Sequence, residues 1–287
     1  MNNILEIKHL SKHYERFSLK DISFSVPRGY IMGFIGPNGA GKTTTIKSIL
    51  NMVHPDSGEI ALFGAAVLPD SWEFKEDIGV VMDFPFYVED WRVKDVEAAL
   101  APFYRNWNHS VFEDFLSKFD LTKNKRVKEL SRGMKVKLML AAALSHDAKL
   151  LILDEPTSGL DPVARDELMD ILGEFITDEN RGVLFSTHIT ADLERIADYI
   201  TFIIDGKLIF TGEKDELLGR YLLVKGGLAE LTAEQKKYII GLREHSVGFE
   251  GMVKTEDRKE LPPDMNYEKI SLDEIIIYIN KEARSHE

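Results

Sequence analysis

The sequence predicts an α/β protein: a mixed-sheet core with an antiparallel β subdomain at its start, an inserted α-helical subdomain, and a small C-terminal α+β extension. Three observations carry this. Apolar residues alternate with polar ones over the first thirty positions. Helical spacing takes over between about residues 83 and 144 and then gives way to short apolar runs. After about Leu218 the pattern resets, with two fresh helix-start signals.

Leu5, Ile7 and Leu10, then Phe17 and Leu19, then Ile22, Phe24 and Val26 fall near every second position, as in antiparallel strands with one buried face. Pro27-Arg28-Gly29 marks a turn. Residues 30–35 form an almost unbroken apolar run, as expected of a strand buried on both faces. Residues 95–104, 111–119 and 132–144 carry apolar positions at helical spacing, with a polar break at 106–110. Residues 150–153 and 183–186 read as buried strands, and 162–177 as a crossover helix between them. Asp205-Gly206 predicts a hairpin turn within residues 203–209. In the tail, residues 221–224 suit a strand. Thr232-Ala233-Glu234-Gln235 is a capping box predicting a helix through Arg243, and Ser271-Leu272-Asp273-Glu274 repeats it before a helix over 275–282. The expected domains are residues 1–217, with the helical subdomain at about 84–144, and an accessory domain at 218–287.

Composition narrows the function. Of 287 residues, 44% are hydrophobic and 29% charged, the balance of a globular chain that buries a core. Lys plus Arg number 36 against 48 Asp plus Glu, a formal charge of -12. Nucleic-acid binding needs a basic footprint, so no nucleic-acid partner is expected. Cysteine is absent, which excludes disulfides, thiol catalysis and zinc–thiolate centres. The start lacks a basic segment followed by an apolar one, so no export signal is expected. The longest apolar run, residues 60–68, is far short of the roughly 20 residues that a membrane-crossing helix needs.

Gly36-Pro37-Asn38-Gly39-Ala40-Gly41-Lys42-Thr43 matches G-x-x-x-x-G-K-[ST], between an apolar strand and a helical run that begins with Thr44. Glycines let consecutive N–H groups of Asn38, Gly39, Ala40 and Gly41 turn inward around a phosphate chain. The following helix adds free N–H groups and a partial positive charge. Lys42 brings a full charge to the terminal phosphates, and the Thr43 hydroxyl is a hard ligand suited to Mg²⁺. This is the motif of a P-loop NTPase core, and a nucleoside triphosphate with Mg²⁺ is the expected ligand pair.

Asp154 and Glu155 end a buried strand, and in parallel sheets ligands gather at the carboxyl ends of strands. Asp154 is placed to hold Mg²⁺ through its water shell, and Glu155 to polarise a water for in-line attack. His188 follows a second buried strand, Ser186-Thr187, and is a candidate to bind the γ-phosphate or orient that water.

With these residues in hand, the chain resembles the nucleotide-binding subunit of ATP-binding cassette (ABC) transporters over about residues 4–217. Leu130-Ser131-Arg132-Gly133-Met134-Lys135 is similar to that family's LSGGQ signature, departing at Arg132 and Met134. Ser158-Gly159-Leu160-Asp161 resembles its D-loop, and Tyr14 stands where the family places an adenine-stacking aromatic. After Ile78-Gly79-Val80-Val81-Met82 the family usually has a Gln that touches Mg²⁺ and the lytic water; here the position is Asp83, a shorter carboxylate that can still ligate Mg²⁺. Thr43-Thr44-Thr45, residues 103–107 and the short tail look closest to ABC-2-type exporters, and within them to exporters of antimicrobial or cytolytic peptides.

The resemblance implies two subunits, identical or related, that sandwich two ATP molecules. Ser131, Gly133 and Asp161 of one would meet the nucleotide on Lys42, Thr43 and Thr44 of the other. Hydrolysis through Glu155 and His188 would drive a separate transmembrane subunit, seated near Phe84, Phe86, Tyr87 and Trp91, which places the protein on the inner face of the cell membrane. Those aromatics also fit the core of the helical insertion, and Arg132 fits phosphate capture or a solvated surface equally. The alternative function is a soluble ABC ATPase acting as a regulatory or nucleic-acid- or ribosome-remodelling module.

Overall fold

In the computed structural model, residues 2–69, 71–84, 86–227 and 230–285 are described. The chain divides into two compact units, one of residues 1–188 with 201–211, the other of 189–200 with 212–287.

In the first unit, strands β1 (Asn3–Tyr14) and β2 (Phe17–Pro27) pair antiparallel, with Ile7 opposite Phe24 and Leu10 opposite Ile22. Each sends alternate apolar residues inward, as the sequence predicts. Strand β3 (Ile31–Ile35) is buried at every residue and leads through a loop into helix α1 (Lys42–Ile49). Strands β4 (Ser57–Leu62) and β5 (Ala65–Ala66) extend the antiparallel part, and β6 (Ile78–Val81) joins the parallel part.

The inserted helices are α2 (Val93–Leu100), α3 (His109–Lys118) and α4 (Arg132–Leu144). The first is shorter than the 95–104 expected, because Pro102 turns the chain into a 3₁₀ stretch at Ala101–Phe103. Asn108 caps α3 by accepting from Ser110 and Val111 N–H. Then β7 (Leu150–Asp154), α5 (Pro162–Phe175) and β8 (Gly182–Thr187) form the predicted crossover. Both strands are buried throughout, the mark of parallel strands covered on two faces. After α6 (Thr190–Ile196), strands β9 (Tyr199–Ile204) and β10 (Lys207–Glu213) close the hairpin. Asp205 and Gly206 both sit at positive φ, and a Cβ on Gly206 would fall 1.8 Å from the Ser18 carbonyl oxygen, so only glycine fits. Among the described residues the ten strands form one mixed sheet in the order β5-β4-β1-β2-β10-β9-β3-β8-β7-β6.

The second unit carries α7 (Lys214–Gly219), strands β11 (Tyr221–Gly226), β12 (Ile239–His245), β13 (Gly248–Lys254) and β14 (Asn266–Lys269), and helix α8 (Leu272–Ser285). The sheet order is β12-β13-β11-β14, around a core of Val224, Ile239, Phe249, Val253, Leu261 and Met265. The Ser271–Glu274 capping box forms and starts α8. Helix α6 belongs to this unit because Thr190 donates to Asp273, and Leu272 N–H donates to Glu194 at 2.6 Å.

The helix expected through Arg243 does not form. The Thr232–Gln235 capping box is made, but only a 3₁₀ turn, Gln235–Tyr238, follows it. The chain then extends as β12, with Ile239 opposite Val253 and Ile240 opposite Met252. Two β-branched residues and Gly241, at φ 64, disfavour a helix, and pairing with β13 overrides the local cap.

Candidate nucleotide-binding site

Residues 36–41 leave β3 and turn sharply into α1. Gly36 is pinned by packing: a Cβ there would lie 2.3 Å from the Ile203 carbonyl oxygen. Gly41 sits at φ 113, and a Cβ on it would strike the side chains of Leu19 and Phe17. No side chain caps the helix and no acid occupies its first turn, so its positive end stays open to an anion. Ala40 is buried, while Asn38 and Gly39 are exposed at the lip.

The Lys42 side chain is 6% exposed and curls back into the loop. Its ammonium donates to the Gly36 carbonyl at 2.7 Å and stands 3.2 Å from Glu155 Oε1. Thr43, at the next position, is exposed and donates to Asp154 Oδ2 at 2.7 Å. The register of β7 and β8 sets Ser186 opposite Asp154, and Ser186 Oγ donates to Asp154 Oδ1 at 2.9 Å. Burial pushes the Asp154 carboxyl above the usual carboxylate range, against these two hydrogen bonds, which pull it down.

Glu155 is one residue past the strand, at φ 52, a left-handed conformation costly for any side chain with a Cβ. That twist aims its carboxylate across the sheet edge. Oε2 meets His188 Nδ1 at 2.7 Å and accepts from His188 N–H at 3.3 Å. Oε1 is buried and makes no hydrogen bond, held only by the charge of Lys42. Lys42, Thr43, Asp154, Glu155 and His188 therefore converge as the sequence predicts. A buried acceptor without a hydrogen bond, a hydroxyl on a carboxylate and an open helix end suit a polyanion with a hard cation. Among the described residues no cluster of three or more His, Asp or Glu could hold a metal by itself, so a cation here would need further ligands from phosphate and water.

A second group surrounds the start of α4. Ser131 caps that helix by accepting from Met134 N–H, and Gly133 packs against Leu160. Asp161 caps α5 through Val163 and Ala164 N–H; chiefly the Ala164 bond holds its carboxyl below the usual range. The Asp83 carboxylate, read as a metal ligand alongside Thr43 and Asp154, pairs with the Arg132 guanidinium. Tyr14 is 40% exposed at the tip of the β1–β2 pair, opposite Phe17, whose ring abuts Gly41.

Phe84 and Phe86 are exposed, and Phe86 and Tyr87 border a groove of about 290 Å³ with Met52, Met82, Tyr104 and Met139. Tyr87 is more enclosed, and desolvation pushes its phenol up strongly.

Sequence reasoning missed two functional features. One is Ser186 as the second support of Asp154; only strand register reveals it. The other is that Asp83 and Arg132, noted separately as departures, are each other's partner.

The ABC transporter family matches residues 19–158. The chain is 33% identical over 220 residues to the Nod factor export ATP-binding protein I of Burkholderia lata, covering 75% of this chain and 72% of that one. It is 31% identical over 248 residues to the bacitracin transport ATP-binding protein BcrA of Bacillus licheniformis, covering 85% and 80%. A solved ATP-binding subunit of an ABC transporter matches with TM-score 0.69 and 30% identity, over 75% of this chain and 91% of the other. The phosphate loop, the paired carboxylates, the signature helix and these likenesses together show that the chain belongs to the ABC transporter family, as an ATP-binding subunit whose ATPase activity powers transport.

Proposed function

We propose that this subunit energises an exporter, and that it works as a pair of ATP-binding subunits, identical or related, closed around two nucleotides. The observation that carries the reading is the bridge Lys42–Glu155–His188 at the carboxyl ends of β7 and β8. Lys42 is paired with the base. A triphosphate entering the loop supplies Lys42 with a better anion and frees Glu155 Oε1. Glu155 then takes a proton from water while the water oxygen bonds to the γ-phosphorus. The bond from that phosphorus to the β,γ-bridging oxygen breaks, and ADP carries away the electron pair. His188 keeps Oε2 in place and orients the carboxylate. Thr43 and Asp154 are the residues to hold Mg²⁺, which would neutralise phosphate charge.

Ser131 and Gly133 at the start of α4 are assigned to the nucleotide of the paired subunit, with Asp161 nearby. Tyr14 is assigned to the adenine face. Phe84, Phe86 and Trp91 form an exposed apolar surface suited to a short helix of the transmembrane partner, which would hold the subunit at the inner membrane face. Export rather than import rests on the Nod factor export relative.

Replacing Glu155 with Gln tests the reading. Hydrolysis should fall by roughly 10²–10⁴-fold, the share of a general base. An ATP-dependent dimer should accumulate, read by light scattering. A variant that stays monomeric at saturating Mg-ATP would overturn the paired arrangement. Capture from detergent-solubilised membranes should bring down one transmembrane protein, and Phe84→Ser with Phe86→Ser should lose it.

A further inference from the structure

Arg132 is the first residue of α4, at a helix end whose first turn holds no acid and does hold Lys135. Cations are unfavourable there unless an anion stands close. The anion present is Asp83. It lies two residues past β6, where Val81 is in register with Leu153, so Asp83 leaves the sheet at the same edge as Asp154. Arg132 lies over Gly159, where a Cβ would come 3.0 Å from Cδ, 3.3 Å from Nε and 3.5 Å from Nη1. Packing therefore anchors the Cδ–Nε–Nη1 side, while Nη2, which meets Asp83, can change partners. Beside the pair is a space of about 210 Å³ lined by Phe84, Lys135, Val136 and Met139. The pair itself is part-exposed, with side chains 45% and 35% accessible, so water screens it and exchange is easy.

We propose that Asp83 is a stand-in anion for Arg132, displaced when the triphosphate held by the paired subunit reaches the start of α4. This rests on the paired arrangement proposed above and adds a positioning residue to it. The phosphate carries more charge than the carboxylate and accepts both prongs of a guanidinium. Asp83, released, frees the segment that continues into Phe84 and the exposed aromatic surface. Nucleotide closure is thus reported to the docking face by one exchanged ion pair.

The test uses the full chain carrying Glu155→Gln and reads the ATP concentration that gives half-maximal dimer. Asp83→Asn removes the rival anion. A part-exposed pair restrains Arg132 by about two- to threefold per copy, and with two such sites and two ATP per dimer the ATP half-point should fall by the same two- to threefold. Arg132→Gln should raise it about tenfold while leaving fluorescent-ATP binding to the subunit's own loop unchanged. The double variant should behave like Arg132→Gln. Melting of the nucleotide-free proteins checks that each variant folds. If Asp83→Asn leaves the half-point unchanged or raises it, the pair is a plain brace and the exchange is overturned. If Glu155→Gln alone never dimerises, the paired arrangement itself has failed and takes the exchange with it.

Discussion

Two helix starts in the first unit are built alike and finished differently. Helix α1 opens on Lys42 and helix α4 on Arg132; neither has an acid in its first turn. Each cation is met by a carboxylate just beyond the end of a neighbouring strand, Glu155 after β7 and Asp83 after β6. The difference lies in burial and capping. Lys42 is 6% exposed behind a glycine cap that leaves the amides free, whereas Arg132 is 45% exposed beside a Ser131 hydroxyl that already satisfies one amide. The first is a preorganised cradle in low dielectric, where charge counts for most. The second is half-solvated and half-satisfied, which suits an encounter surface better than a permanent grip.

The largest predicted effect would break the comparison at its strong end. Lys42→Ala should lower ATP hydrolysis by roughly 10²–10³-fold, the loss expected when a main transition-state charge contact is removed. Arg132→Ala should cost nearer tenfold, and equal losses in a phosphate-release assay would abolish the distinction. Next come the caps. Gly41→Ala meets both a left-handed backbone and two side chains, so urea unfolding should show a loss of about 3 kcal/mol. Ser131→Ala loses one cap bond and should cost about 1 kcal/mol.

A smaller effect sharpens the burial argument. Because burial raises the Asp154 carboxyl in the folded state, its ionisation weighs against the fold. That penalty is absent below the unfolded pKa of about 3.9 and complete once pH passes the raised native value. Asp154→Asn should therefore melt above the wild type at pH 7, with the gap closing near pH 3, while losing Mg²⁺-dependent hydrolysis. The smallest effect is ionic. A double-mutant cycle on Asp83 and Arg132 should give about 0.5 kcal/mol at low salt and close to nothing at 1 M. The same cycle on Lys42 and Glu155 should survive the salt.

The phosphate loop and the paired carboxylates were legible because their chemistry fixes residue type and spacing along a single stretch of chain. The alternating β1 and β2, the boundaries of α4 and the Asp205-Gly206 turn were legible for a related reason: local sterics decide them. What escaped depends on distant segments meeting. Ser186 supports Asp154 from 32 positions away, through strand register alone. The Asp83–Arg132 pair spans 49 positions, and no local pattern announces it. Gln235 shows the opposite failure, a sound capping signal outvoted by Ile239 and Ile240 entering a sheet.

Glu155 has a broader consequence. At φ 52 the backbone at this position would be most comfortable as glycine, by about 1 kcal/mol. Glycine would relieve that twist but would leave the buried Lys42 without its counter-charge, so a library sorted only for heat resistance should keep an acid at this position despite the backbone cost.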